Sequence, residues 1–275
     1  MKGLIIIMGE SFRSGSQNTR IRGQKESYDN QINACETHIK FLKTLNNKFK
    51  CNTSVFLSSY NTQYNDKLFS IYKNYLIGNK MYDNVIGLTQ LFKNSIEYNN
   101  KNINDYDFIF YFRIDLHLKD KFIEIFNPNW NTIKFSFICW KKDSIHRGKP
   151  RVSDTMIFIP KAFFSILNKI VIYHDTWYML SHDLNISDEN LDVMVYTYHD
   201  SDSEKDYNPL YNIINRSQNS NWDSVNEFFI RSTNVNIIEK FTEYSKKKNY
   251  FNILFFIILI CFLYYYLYYY LKNNK

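Results

Sequence analysis

The chain has 275 residues, 45% of them hydrophobic and 18% aromatic, with 23 Tyr and 23 Phe against only 7 Gly and 4 Pro. Such a composition excludes a largely disordered protein and supplies the core of one sizeable α/β domain, with room for an appendage. The formal net charge is +7, but lysines clustered at Lys246, Lys247 and Lys248 and at the extreme C-terminus carry much of it, and no basic stripe interleaved with aromatics points to nucleic acid.

The remaining positive excess suits an acidic nucleotide or a membrane surface. Cys35, Cys51, Cys139 and Cys261 show no CxxC spacing. They read as reduced, buried thiols rather than a disulfide framework or a zinc site, which fits a cytosolic catalytic domain. Abundant Asn, Lys, Ile and Tyr reflect AT-rich coding, so surface Asn and Lys carry little information.

In chain order, Leu4 to Met8 is a short apolar run that predicts a first buried strand. A polar loop over residues 9–22 follows, holding Arg13, Arg20 and Arg22. Nucleotide sites of open α/β sheets begin after a first strand, so these arginines are candidate diphosphate ligands. A solvated loop is the alternative. There is no GxGxxG and no GxxxxGK, which excludes a Rossmann dinucleotide fingerprint and a Walker-type NTPase.

Residues 25–46 place Ile32, Cys35, Ile39, Leu42 and Leu45 at the spacing of an amphipathic helix. His38 lies near that face and reads as a packed core histidine. A second strand is predicted over 54–57, then helices over 64–76 and 84–98, with Val85, Leu88, Leu91 and Ile96 turned inward.

Next comes the run Phe108-Ile109-Phe110-Tyr111-Phe112, without polar alternation, capped by Arg113-Ile114-Asp115. A run of this kind is a strand buried on both faces of an α/β sheet, and its end emerges at the carboxyl edge where such folds place ligands. Asp115 there suits a divalent cation carrying phosphates, because hard cations take oxygen ligands. Arg113 can fork onto a carboxylate or a phosphate. The plain alternative is a strand-end salt bridge.

Further strands are predicted over 132–139 and 156–160, separated by a basic loop over 141–151 and by Asp154, and an amphipathic helix over 161–180. A segment dense in histidine and acid follows, with His182, Asp183, Asp188, Glu189, His199, Asp200 and Asp202. Alternating strands and helices predict βαβ units and a mainly parallel sheet.

Residues 250–271 form 22 residues without a formal charge. At about 1.5 Å per residue, a helix of that length spans the ~30 Å hydrocarbon core of a bilayer. Tyrosines crowd its last third, as in the aromatic belts at headgroup level. The apolar run at the N-terminus is too short for a signal peptide, and the lysines at 246–248 place the larger part of the chain on the cytoplasmic side. The expected division is a domain over 1–240, a basic linker over 241–249 and a single-pass tail anchor over 250–271.

Four features together resemble the GT-A-like glycosyltransferases of viral and bacterial surface-glycan clusters, over residues 3–215. They are the first strand followed by Gly9-Glu10 and Arg13, a second strand ending Val55-Phe56-Leu57-Ser58-Ser59-Tyr60, Tyr106-Asp107 leading to Arg113-Ile114-Asp115, and Ser153-Asp154-Thr155-Met156-Ile157. The resemblance implies a GT-A-like, Rossmann-like α/β fold, with a mainly parallel sheet flanked by helices, to which the C-terminal transmembrane helix is added. It implies transfer of a sugar from a nucleotide-sugar donor to a glycan, glycolipid or protein acceptor.

In the same reading Gly9, Arg13, Arg20 and Arg113 bind the donor, and Asp115 binds Mn2+ or Mg2+. His199 completes the metal shell, with His182 behind it, and Asp154 or Asp183 is the base at the acceptor hydroxyl. In this group Arg-x-Asp stands where other GT-A enzymes carry Asp-x-Asp, so Arg113 takes the place of the first Asp. An arginine can itself meet the charge that grows on a departing diphosphate. The AT-rich composition points to a large DNA virus or a protist as the source. Two other classes stay open: a non-catalytic membrane module of the same fold, and a nucleotidyl- or phosphotransferase.

Overall fold

The structure, a computed structural model, describes residues 1–15, 21–139, 149–172, 176–197, 210–214 and 228–230. Its centre is a nine-stranded sheet in the order β11-β9-β6-β8-β4-β1-β2-β3, with β7 paired to β6. The strands are β1 (Lys2–Gly9), β2 (Asn52–Tyr60), β3 (Leu76–Tyr82), β4 (Phe108–Arg113), β6 (Ile133–Cys139), β7 (Arg151–Val152), β8 (Met156–Pro160), β9 (Leu191–Thr197) and β11 (Phe228–Ile230). Strands β1, β2, β3, β4, β6 and β9 share one direction, while β7, β8 and β11 run against it. The sheet is therefore mostly parallel, as expected. A separate two-stranded ribbon pairs β5 (Leu116–Leu118) with β10 (Tyr211–Ile213).

Strand β4 is buried at every position, and β1 at every position from Gly3 on. This is why neither alternates in sequence: both lie mid-sheet with cover on each face. On one face α1 (Tyr28–Lys48) packs Phe41 edge-on against Phe110, Phe122 and Phe126, with ring centroids 5.0–5.4 Å apart. On the other, α3 (Leu88–Asn99) sets Phe92 against Tyr111 at 5.9 Å. Helices α2 (Asn65–Tyr72) and α4 (Asp120–Ile125) complete the cover.

Three expectations are corrected. The predicted helix over 64–76 stops at Tyr72, and β3 follows it, unforeseen. This strand closes one edge of the sheet and most of its residues keep some solvent contact. No apolar run or alternation was needed there, so none marks it in the sequence. Val85, expected on an inner helical face, lies before α3 and is 62% exposed. Finally, no single helix spans 161–180: a 3-10 stretch runs Lys161–Lys169, and short helical turns cover Thr176–Tyr178 and Met179–Asp183. The β-branched run Ile170-Val171-Ile172 follows the 3-10 stretch, and Ile170 takes an extended conformation. Such residues lose side-chain freedom in a helix, which favours the break.

Among the described residues no helix is long and apolar enough to cross a membrane. The span expected over 250–271, and the linker before it, lie outside them.

Candidate active site

In the strand order, β2 and β3 extend the sheet to one side of β1, and β4 lies on its other side. The order therefore reverses between β1 and β4. In open α/β sheets the crevice at the carboxyl ends of strands flanking such a switch point is where ligands bind. Residues 9–13 leave β1 at this place and residues 113–115 leave β4. Because β8 runs against β4, with Phe112 opposite Met156, the loop holding Asp154 arrives at the same edge.

Gly9 has φ +124°, a backbone shape that side chains with a Cβ rarely adopt, so the exit from β1 requires glycine. Its carbonyl accepts a hydrogen bond from Ser59 Oγ at 2.7 Å. Arg13, 3% exposed, donates from Nη1 to Glu10 Oε2 at 3.0 Å.

Across the switch point, Arg113 donates from Nε to Asp115 Oδ1 at 2.9 Å and from Nη2 to Asp115 Oδ2 at 2.6 Å. Both residues are buried. Burial alone works against the charge on Arg113, but the Asp115 carboxylate and its hydrogen bonds, backed by Asp154, hold the guanidinium above its ordinary value. The strand-end salt bridge read as the plain alternative has thus formed, as a two-pronged fork.

Helix α1 fastens both loops. Gln31, fully buried, accepts from the Phe12 N–H at 3.1 Å and donates from Nε2 to the Ile114 carbonyl at 2.8 Å. Two turns along the same face, His38 bonds the Leu116 carbonyl from Nε2 and the Tyr72 hydroxyl at Nδ1, each at 2.6 Å. A carbonyl only accepts, so Nε2 carries the proton and Nδ1 is the acceptor. Burial pushes His38 down to about 4. The core reading of this histidine holds, and it packs against the back of the segment carrying Asp115.

The Asp154 loop is held from two sides. The Tyr111 hydroxyl donates to the Asp154 carbonyl. The hydroxyls of Ser153 and Thr155 on either side of Asp154 lie 3.1 and 2.7 Å from the Tyr211 hydroxyl, and Ser136 Oγ joins them at 3.3 Å. The Arg113 N–H donates to the Thr155 carbonyl at 3.0 Å, and the Ile214 N–H to the Asp115 carbonyl at 2.9 Å. Residues 113–115, 153–155 and 210–214 form one hydrogen-bonded unit.

Of the residues singled out in the sequence, Gly9, Arg13, Arg113, Asp115 and Asp154 come together at this edge. Asp183 ends a short π-helical turn and is exposed; His182 beside it is exposed and stacks on Tyr178 at 4.7 Å. Arg20 and His199 lie outside the described residues. Sequence reasoning missed Gln31, Tyr111 and Tyr211. Gln31 left a trace, as a polar residue one turn before Cys35 and two before His38 on an apolar face. Tyr111 is the one hydroxyl in the run Phe108 to Phe112. Tyr211 left none, since its partners stand 56 to 75 positions away in the chain.

No family model matches the chain, and no curated protein matches its sequence. Solved structures similar to it include the galactosyltransferase LgtC in complex with donor and acceptor sugar analogues, at 7% identity over 70% of this chain and 73% of that one, TM-score 0.33. The glycosyltransferase GlyE of Streptococcus pneumoniae is similar at 13% identity over 70% of this chain and 45% of its own, TM-score 0.32. A cytidylyltransferase from Leptospira borgpetersenii serovar Hardjo-bovis is similar at 15% identity over 70% of this chain and 74% of that one, TM-score 0.32. This chain spans less than half the length of GlyE. At such identities and TM-scores these similarities carry no argument about activity, and the site is read from its own residues.

The described residues at this edge do not fit a divalent cation, and His199, the second metal ligand expected from the sequence, lies outside them. Among the described residues no three His, Cys, Asp or Glu side chains gather as a metal shell would require. Both oxygens of Asp115 accept hydrogen bonds from Arg113, whose positive charge offsets that carboxylate.

Proposed function

We propose that the protein is a glycosyltransferase that takes a sugar from a nucleotide-sugar donor, with the donor diphosphate at the β1–β4 switch point. The observation that carries this reading is the meeting of Glu10–Arg13 and Arg113–Asp115 on adjacent strand ends, at the place where open α/β sheets bind ligands. The resemblance of the Arg113-Ile114-Asp115 and Ser153-Asp154-Thr155 phrases to GT-A-like enzymes supplies the sugar.

In this reading the bond between the sugar anomeric carbon and the diphosphate oxygen breaks, and the electron pair leaves with the nucleoside diphosphate. The negative charge on that oxygen is met by guanidinium groups already in place, which is the economical form of electrostatic catalysis. The acceptor hydroxyl attacks the anomeric carbon and its proton passes to the Asp154 carboxylate, so the carboxylate acts as general base. Tyr111 and Tyr211 hold the Asp154 loop while the proton moves. The acceptor is a glycan, glycolipid or protein. The apolar segment over 250–271 tethers the domain to a membrane with its bulk on the cytoplasmic side.

The test is release of nucleoside diphosphate from a panel of nucleotide sugars by the full-length chain in detergent. Donor-selective release that Asp154→Asn suppresses supports the reading. A panel that gives no release, with nucleoside diphosphates that do not bind, contradicts it in favour of a non-catalytic module.

A further inference from the structure

Two arginines at this edge are built alike. Arg13 is braced by Glu10 three residues before it, and Arg113 by Asp115 two residues after it. Arg13 leaves β1 and Arg113 ends β4, on strands paired directly with Met8 opposite Arg113. Both guanidinium groups are nearly buried, at 3% and 7% residue exposure. A buried guanidinium without a partner is costly, and a carboxylate close along the chain is the local way to keep it charged and aimed.

The Asp115 fork takes the Nε–Nη2 side of Arg113. Nη1 is therefore the corner turned away from Asp115. A guanidinium is planar and rigid, so fixing one side fixes the direction of the other, and its fork geometry matches phosphate oxygens. The same fork sets a positive charge against both Asp115 oxygens, which offsets the carboxylate's pull on a divalent cation at short range.

We propose that Asp115 is a positioning residue that aims Arg113, and that Arg113 with Arg13 holds the donor diphosphate in place of a divalent cation. This rests on the glycosyltransferase reading and assigns its charge compensation. The bond that breaks is the same, and the leaving diphosphate departs into two guanidinium groups instead of a metal shell. A lysine cannot replace either arginine, because a point charge on a flexible stem keeps neither the fork nor the aim.

The experiment is calorimetric titration of the full-length protein in detergent with UDP, GDP, CDP and ADP, first in EDTA and then with excess Mn2+. The expected result is that at least one diphosphate binds in EDTA and that Mn2+ leaves its affinity unchanged. Arg113→Lys is expected to weaken that binding by roughly tenfold or more, in keeping with loss of a fork-shaped phosphate contact. Asp115→Asn is expected to weaken it in EDTA and in Mn2+ alike. Should Arg113→Lys fail to fold, as judged by its thermal melt, Arg13→Lys serves in its place.

Binding that appears only with Mn2+ and vanishes in Asp115→Asn would overturn the inference while leaving the transferase reading intact. Wild-type binding in both arginine variants would reduce the two ion pairs to structural fasteners and overturn it as well. No binding of any diphosphate, with or without Mn2+, would remove the transferase reading itself and the inference with it.

Discussion

His38 Nε2 donates to the Leu116 carbonyl at 2.6 Å, so a fully buried imidazole holds the backbone one residue beyond Asp115. Burial, first of all, and the nearby His117 charge depress its value from 6.5 to about 4, against a smaller upward pull from the carbonyl bond and from Asp115. Below about pH 6.5 the unfolded chain takes a proton that the folded chain refuses down to about pH 4. Stability is therefore full above that window and falls as pH drops through it, by up to about 3 kcal/mol. Urea denaturation at a series of pH values checks this: His38→Gln should lose much of the slope between those limits. An unchanged slope would assign it to other groups.

Gln31 spans the two loops of the site, with one amide end on Phe12 and the other on Ile114. Gln31→Ala leaves a buried backbone N–H and a buried carbonyl without their partner, at a cost of about 2–4 kcal/mol. Chemical denaturation reads that loss directly. A loss under about 0.5 kcal/mol, the range of surface substitutions, would mean that the loops are held elsewhere.

Tyr211 carries the hydroxyl shared by Ser136, Ser153 and Thr155. Tyr211→Phe keeps the ring and removes only that hydroxyl, costing about 1–2 kcal/mol of stability. Its larger effect is expected on turnover, because the flanks of Asp154 lose their anchor while the arginines stay in place. The rate constant should fall with the donor KM nearly unchanged. An equal change in both would place the effect on donor binding instead.

Gly3 faces the ring of Phe108 across β1 and β4: a Cβ built at Gly3 would lie 2.1 Å from Phe108 Cζ. The ring is 1% exposed and packs on Trp130 and Phe158 with centroids 5.6 and 5.3 Å away, so it has little room to retreat. Gly3→Ala should cost about 1–3 kcal/mol, as overpacked cores do. A melting temperature equal to the parent's would show that the ring can move aside.

The central strands were legible because burial on both faces writes an unbroken apolar run, as in Ile5 to Met8 and Phe108 to Phe112. The same reasoning located Arg113, Asp115 and Asp154, since residues that end or precede a buried strand must reach the sheet edge. β3 was not legible, because a partly exposed edge strand needs no apolar signature. The pairing within Arg113-Ile114-Asp115 was open, because residue types alone do not say whether a carboxylate turns to its neighbour or to a ligand. Tyr211 was out of reach for a different reason: a hydroxyl cluster assembled from strands far apart in the chain has no local pattern.

The most direct test of the account is a structure of the protein with a nucleoside diphosphate bound. It predicts the diphosphate at the carboxyl edge between β1 and β4, with a phosphate oxygen in hydrogen-bond contact with the Arg113 guanidinium and Arg13 alongside. A diphosphate bound at the opposite edge of the sheet, or over the β5–β10 ribbon away from both arginines, would contradict it.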